Sequence, residues 1–240
     1  MRNLVRARTA AVRDVGLKKR KVGAFLLRHS RLFPRKKNWG ARYRDWLQAQ
    51  SFEHAADQIV LQEGIEAVRI AEERLARLER TIEEFLPTWS LAPIVEALQA
   101  LRGVDLVTAA TFVVEVGDVR RFKSPRQLMA YLGLVPGERS TGETVRRGSI
   151  TKMGNARVRH LLVESAWTYR HPPRVGAKKL PKLERVSPTI REIAWKAQSR
   201  LTARYRAFVA RGKKTTVTCT AIARELAAFM WAVAREVRPA

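Results

Sequence analysis

The sequence predicts a mainly α protein: an N-terminal helical hairpin or coiled coil, then a helical domain with a helix-hairpin-helix-like element and a small glycine-rich loop or β-hairpin. Three observations carry that expectation. Apolar residues recur at steps of three, four and seven along most of the 240 residues. Prolines close the periodic runs, at Pro34, Pro87 and Pro172–Pro173. One stretch, Gly137 to Asn155, breaks the periodicity with four glycines, adjacent hydroxyls at Ser140 and Thr141, and a cluster of basic side chains.

The elements follow in order. Val5, Val12, Val15, Val22 and Leu26 define one face of a first helix, with Arg and Lys on the other and Gly16 and Gly23 weakening it. A loop holding Trp39, Tyr43 and Trp46 is expected after Pro34. Leu61, Ile65, Val68, Leu75, Ile82 and Leu86 then recur at near-heptad spacing up to Pro87. The two runs read either as a coiled-coil stalk that makes a homo-oligomer or as amphipathic helices packing within one chain. This region is expected to span residues 1–90.

A second region, 91–175, opens with a helix ending at Leu101, a turn at Gly103, and a helix from Leu106 to Val116. That pattern is either a helix-hairpin-helix, whose backbone N–H groups face a phosphate, or an ordinary tight turn; Asp105 stands where the second glycine of such a hairpin usually lies. Ser124 and Pro125 start a short helix that ends at Gly133. The glycine-rich stretch comes next, with β-prone Thr144 and Val145, followed by a helix packed through Val158, Leu161, Leu162, Ser165 and Ala166. Residues 176–240 are expected to complete the domain: a basic linker containing Lys178 and Lys179, then two helices, the second with Ile222, Leu226, Phe229, Met230 and Val233 on its apolar side.

Charge narrows the function. Lys and Arg number 47 against 22 Asp and Glu, a net charge of +25, and the excess is spread along the chain. Such a surface favours a polyanion, because each neutralised phosphate releases condensed counterions. No signal peptide and no apolar run of spanning length stand out, so nucleic acid is favoured over a membrane. Cys219 is alone and the four histidines are scattered, which excludes a disulfide framework and a cysteine-based zinc site and fits a reducing cytoplasm. The phosphate-binding pattern of nucleotide hydrolases is absent.

The run "VDLVTAATFVVEVGDVRRFKSPRQLMAYLGLVPGERSTGETVRRGSITKMGNARVRHLLVESAWTYRHPP" resembles the C-terminal region of transposases of the IS110 class of bacterial insertion sequences. The helical N-terminal part resembles the coiled coil that precedes this region in the family. The resemblance implies a recombinase guided by a structured non-coding RNA, in which a serine attacks a DNA phosphodiester and becomes covalently linked to it. Ser140 of "RSTG" is the nucleophile it implies; Thr141 is the alternative, because some relatives place the serine immediately before the glycine. Gly103, Arg139, Gly142, Arg146, Arg147, Lys152, Asn155, Arg157 and Arg159 are the expected contacts to nucleic acid. A serine hydroxyl is a weak nucleophile, and the arginines and Lys152 suit the charge that develops on phosphoryl oxygens.

The family's acidic RNase-H-like domain, which holds its metal, has no counterpart here: the first fifty residues are basic and helical, with Asp14 and Asp45 their acids. The chain is therefore expected to be a truncated or split transposase, with no cofactor of its own and Mg²⁺ expected only with the acidic domain. Expected partners are DNA, a structured RNA and a second copy of the chain. A catalytically inactive nucleic-acid-binding remnant or regulator is the alternative, and a nucleoid or RNA-binding protein is disfavoured by the "ITKMGN" context.

Overall fold

The computed structural model describes residues 1–35, 39–138, 141, 144 and 147–237. They are helical almost throughout and divide into two compact units, Arg6–Glu84, and Met1–Val5 with Phe85–Ala240.

The first unit is a helical hairpin. Helix α1 (Arg2–Arg28) and helix α3 (Ala55–Phe85) run antiparallel, since partner numbers fall on one as they rise on the other. Arg8 meets Glu79 at 2.5 Å, Lys19 meets Glu72 at 2.5 Å, and His29 lies 3.7 Å from Asp57. Val22, Phe25, Leu26, Leu61 and Val68 form the seam between them. Gly16 and Gly23 do not interrupt α1, because apolar contacts on both sides outweigh a propensity cost of about 1 kcal/mol each. Two expectations need correction. Val12 is exposed, and Ala11 takes the buried position beside it. The segment expected as a loop contains helix α2 (Ala41–Gln48), which buries Tyr43 and Leu47. Tyr43 stacks among Phe33, Trp39 and Trp46 at centroid distances of 5.0 to 5.5 Å, so aromatic packing folds a stretch whose propensity is poor.

The second unit is a bundle around α10 (Thr215–Glu236), which packs against α4 (Ala92–Leu98), α6 (Pro125–Tyr131), α7 (Ala156–Ala166) and α9 (Pro188–Ala210). Cys219, Ile222, Ala223, Leu226, Ala227, Met230 and Val233 are fully buried along it. With a mean hydropathy of 1.4, α10 is long and apolar enough to cross a membrane by length and composition, contrary to the reading of the bare sequence. Its apolar surface is instead covered by four neighbouring helices. Helix α5 (Leu106–Val116) is buried from Thr108 to Val116, and the Asp105 carboxylate caps it by accepting from the Thr108 N–H at 2.7 Å.

The basic linker also departs from expectation. It contains a 3₁₀ turn (Ala177–Lys179) and helix α8 (Leu180–Glu184). Lys179, expected in solvent, is half-buried. Its Nζ donates to the carbonyls of Leu101 (2.8 Å), Val104 (2.7 Å) and Gln99, all in the turn between α4 and α5. Those carbonyls have no ladder partner, and a lysine from 75 or more residues away satisfies them together.

Candidate functional site

The glycine-rich stretch forms a ribbon. Strand β1 (Pro136–Glu138) pairs antiparallel with β2 (Arg147–Ile150), with Pro136 opposite Ile150, Glu138 opposite Arg147 and an irregularity between. Further out, Thr141 and Thr144 exchange backbone hydrogen bonds of 3.2 and 3.1 Å, which closes a two-residue turn. Both threonines are exposed. Arg139, Ser140, Gly142 and Arg146 lie outside the described residues. Arg147 opens β2.

The base of the ribbon is clamped by two glycines. Gly133 ends α6 at φ +64°, and a Cβ there would sit 1.9 Å from the Met153 carbonyl oxygen. Gly154 has φ +87°, and a Cβ there would sit 1.9 Å from the Tyr131 carbonyl oxygen. Only glycine fits either position, for space and for backbone conformation. The chain re-enters through Thr151 N–H to Val135 O (2.9 Å) and Lys152 N–H to Gly133 O (3.1 Å). Lys152 adopts φ +57°, a conformation that costs a non-glycine residue of order 1 kcal/mol, and its side chain is exposed at the ribbon base.

Just beyond the clamp, the residues expected on nucleic acid are tied into the protein. The Asn155 side-chain oxygen caps α7 by accepting from the N–H groups of Arg157 (3.0 Å) and Val158 (3.1 Å). Its Nδ2 donates to Glu115 Oε2 at 2.9 Å, and Arg157 Nη1 reaches Glu115 Oε1 at 3.3 Å. Glu115 is buried in α5, and a carboxylate taken out of water needs such partners. Arg159 donates to the Leu132 carbonyl at 2.9 Å and to the Met153 carbonyl at 3.3 Å, closing the end of α6. Gly103 is likewise internal: at φ +76°, its missing Cβ leaves room for the Ser165 carbonyl and the Thr168 hydroxyl. Of the expected contacts with described side chains, Lys152 alone projects away from such internal bonds.

A basic groove that sequence reasoning missed lies beside the ribbon. Pro136, Gly148, Ser149, Ile150 and Lys152 face Thr216, Thr220 and Arg224 of α10 across a concavity of about 370 Å³. Arg224 also lines an adjoining concavity of about 500 Å³ with Arg126, Arg200 and Arg204. Glu225 is the carboxylate among these four arginines; it pairs with Arg200 at 3.1 Å and with Arg204. The Arg224 Nε is buried and has no hydrogen-bond partner among the described residues. The sequence signal was present, since Arg200, Arg204 and Arg224 interrupt otherwise apolar helical faces.

Residues 95–179, which contain the clamp and the whole ribbon, match the model of the Transposase IS116/IS110/IS902 family. A protein of Sinorhizobium fredii that carries a transposase name, y4qE, is 62% identical over 99% of this chain and 58% of its own length. The transposase for insertion sequence element IS1533 of Leptospira borgpetersenii is 27% identical over 89% of this chain and 62% of its own length. The transposase for IS1111A of Coxiella burnetii is 38% identical over 71 residues, 30% of this chain and 20% of its own length. The chain belongs to the IS110 class of insertion-sequence transposases. It spans about three-fifths of the length of the first two of these relatives, at 58% and 62%.

Proposed function

We propose that this chain is the serine-bearing part of a transposase that cuts and rejoins DNA, with the ribbon presenting the nucleophile over a duplex held in the arginine groove. The observation that carries this reading is the placement of a glycine-clamped ribbon directly against a groove of five cationic side chains, Lys152, Arg126, Arg200, Arg204 and Arg224. The Ser140 hydroxyl attacks a phosphodiester phosphorus. A phosphorus–oxygen ester bond to serine forms, the bond to one deoxyribose oxygen breaks, and that oxygen leaves with a proton. The new ester conserves the bond for rejoining, so no nucleoside triphosphate is consumed. The groove cations neutralise the phosphates and the charge that develops on the phosphoryl oxygens.

The residues of this chain do not fit a divalent cation. Among the described residues, no three of His, Cys, Asp and Glu lie together, and the ribbon base is surrounded by cations. No step is therefore assigned to a metal here. The reading extends to an acid-bearing partner segment, to a structured guide RNA bound through the basic surface, to self-association through α1 and α3, and to action in the cytoplasm.

The test mixes the chain with a serine-dead full-length relative, its guide RNA and donor and target DNA. A covalent protein–DNA adduct that forms in the mixture and is lost in Ser140→Ala supports the mechanism. Loss in Thr141→Ala with retention in Ser140→Ala moves the nucleophile by one residue. Salt-dependent duplex binding without any adduct identifies a binding module instead.

A further inference from the structure

A second concavity of about 400 Å³ lies between the α4–α5 turn and α9. Its floor is Ala100, Ala194 and Gln198, all buried. Its wall carries Trp195, which is 52% exposed although it is among the largest apolar side chains in the protein. Arg174 and Arg191 stand at the rim, exposed, with no acidic partner among the described residues, and no carboxylate lines the cavity. Gln198 accepts from Arg102 at 3.4 Å through Oε1, while its amide nitrogen donates to no described group. A buried amide facing a cavity with donor capacity left over is a reader of a polar edge.

We propose that this pocket takes one unpaired nucleotide of a single-stranded nucleic acid. The base stacks on Trp195 and presents its edge to Gln198, and the flanking phosphates lie against Arg174 and Arg191. An aromatic platform bordered by cations is how proteins hold single strands, because every base offers a π-face and every linkage a charge. A double helix cannot use the site, since its bases are stacked and paired. The site is also separate from the ribbon groove. Trp195 and Arg204 both belong to α9, nine residues apart, about two and a half turns at 3.6 residues per turn, which sets them on opposite faces. One helix thus serves two strands: the duplex on its Arg204 face and a single strand on its Trp195 face.

The inference rests on the chain being a nucleic-acid partner, and not on the identity of the nucleophile. The test titrates the full chain with fluorescently labelled single-stranded RNA, single-stranded DNA of the same sequence, blunt duplex DNA and a free mononucleotide. Trp195→Ala is expected to weaken single-strand binding by about tenfold, the size of one lost base stack. Trp195→Phe keeps most of the affinity, and duplex binding is unchanged by either. Arg174→Ala with Arg191→Ala lowers the salt slope for single strands by about two. The tighter of the RNA and DNA strands names the source. Unchanged single-strand binding in Trp195→Ala overturns the proposal. So does an equal loss on duplex, or a mononucleotide that binds as tightly as the oligonucleotide. Absence of a Ser140 adduct with these results intact would overturn the proposed mechanism and leave the pocket standing.

Discussion

The helical hairpin and the bundle have the same number of acids and use them in opposite ways. Residues 1–84 hold 19 Lys and Arg against 11 Asp and Glu; residues 85–240 hold 28 against 11. In the hairpin the acids lie on the surface and staple one helix to another, as Glu72 does with Lys19 and Arg44, and Glu79 with Arg8. In the bundle they point inward or cap helices: Glu115 under Asn155 and Arg157, Glu225 between Arg200 and Arg204, Asp105 and Asp118 at helix starts. Net charge therefore describes two different surfaces. The hairpin neutralises its own cations where its helices meet, whereas the bundle turns its excess outward, and that is the surface suited to a polyanion.

The contrast can be broken most severely at the clamp. Gly154→Ala is expected to destabilise the bundle by about 3–5 kcal/mol, through a backbone clash and a left-handed φ together, and to lower its thermal midpoint. A melt indistinguishable from the parent would mean that the clamp yields. Next comes Glu115→Ala, expected to cost about 2–3 kcal/mol in denaturant unfolding because the Asn155 amide loses its acceptor in a buried site. Glu115→Gln should recover part of that, as it keeps one acceptor.

Lys179→Met sharpens the comparison, because it removes a cation that serves the fold and not a partner. The expected loss is about 2 kcal/mol near neutral pH, from the three carbonyls left unpaired. Burial, with the nearby Lys182 ammonium, pushes Lys179 down to about 8 from an ordinary 10.5. Below that value both the folded and the unfolded chain carry the proton. Between about 8 and 10.5 the unfolded chain holds more, so this group makes stability rise with pH across that window. Unfolding free energies measured from pH 7 to 10.5 should show that upward contribution in the parent and not in Lys179→Met. The smallest effect belongs to the hairpin: Glu72→Gln should cost no more than about 1 kcal/mol, since its partners are exposed and keep their hydration. A larger loss would show that the surface staples set the stability of that unit.

The sequence made the helices legible because their signals are local. Gly103, Ser124–Pro125 and Gly133 mark turns and starts that the structure keeps, and the apolar face of α10 reads directly. What it hid is long-range. Lys179 looked like one more solvated linker charge because the carbonyls that bind it lie 75 to 80 residues earlier. Asn155, Arg157 and Arg159 looked like free contacts in a basic motif, but one buried carboxylate in α5 and two carbonyls near the end of α6 engage them. The converse error has the same origin. Arg126, Arg200, Arg204 and Arg224 lie on three helices, and only packing assembles them into a groove.

The double-glycine clamp has a consequence for exchange between relatives. It grips the ribbon through main-chain atoms alone, at Gly133 against Met153 and Gly154 against Tyr131. Nothing in that grip depends on which side chains lie between Val135 and Thr151. The ribbon is thus a cassette with standard fittings: a loop of another length or charge, carried between the same two glycines, would seat in this scaffold without refolding it. Variation in target preference can then accumulate at the tip while the bundle that supports it stays the same.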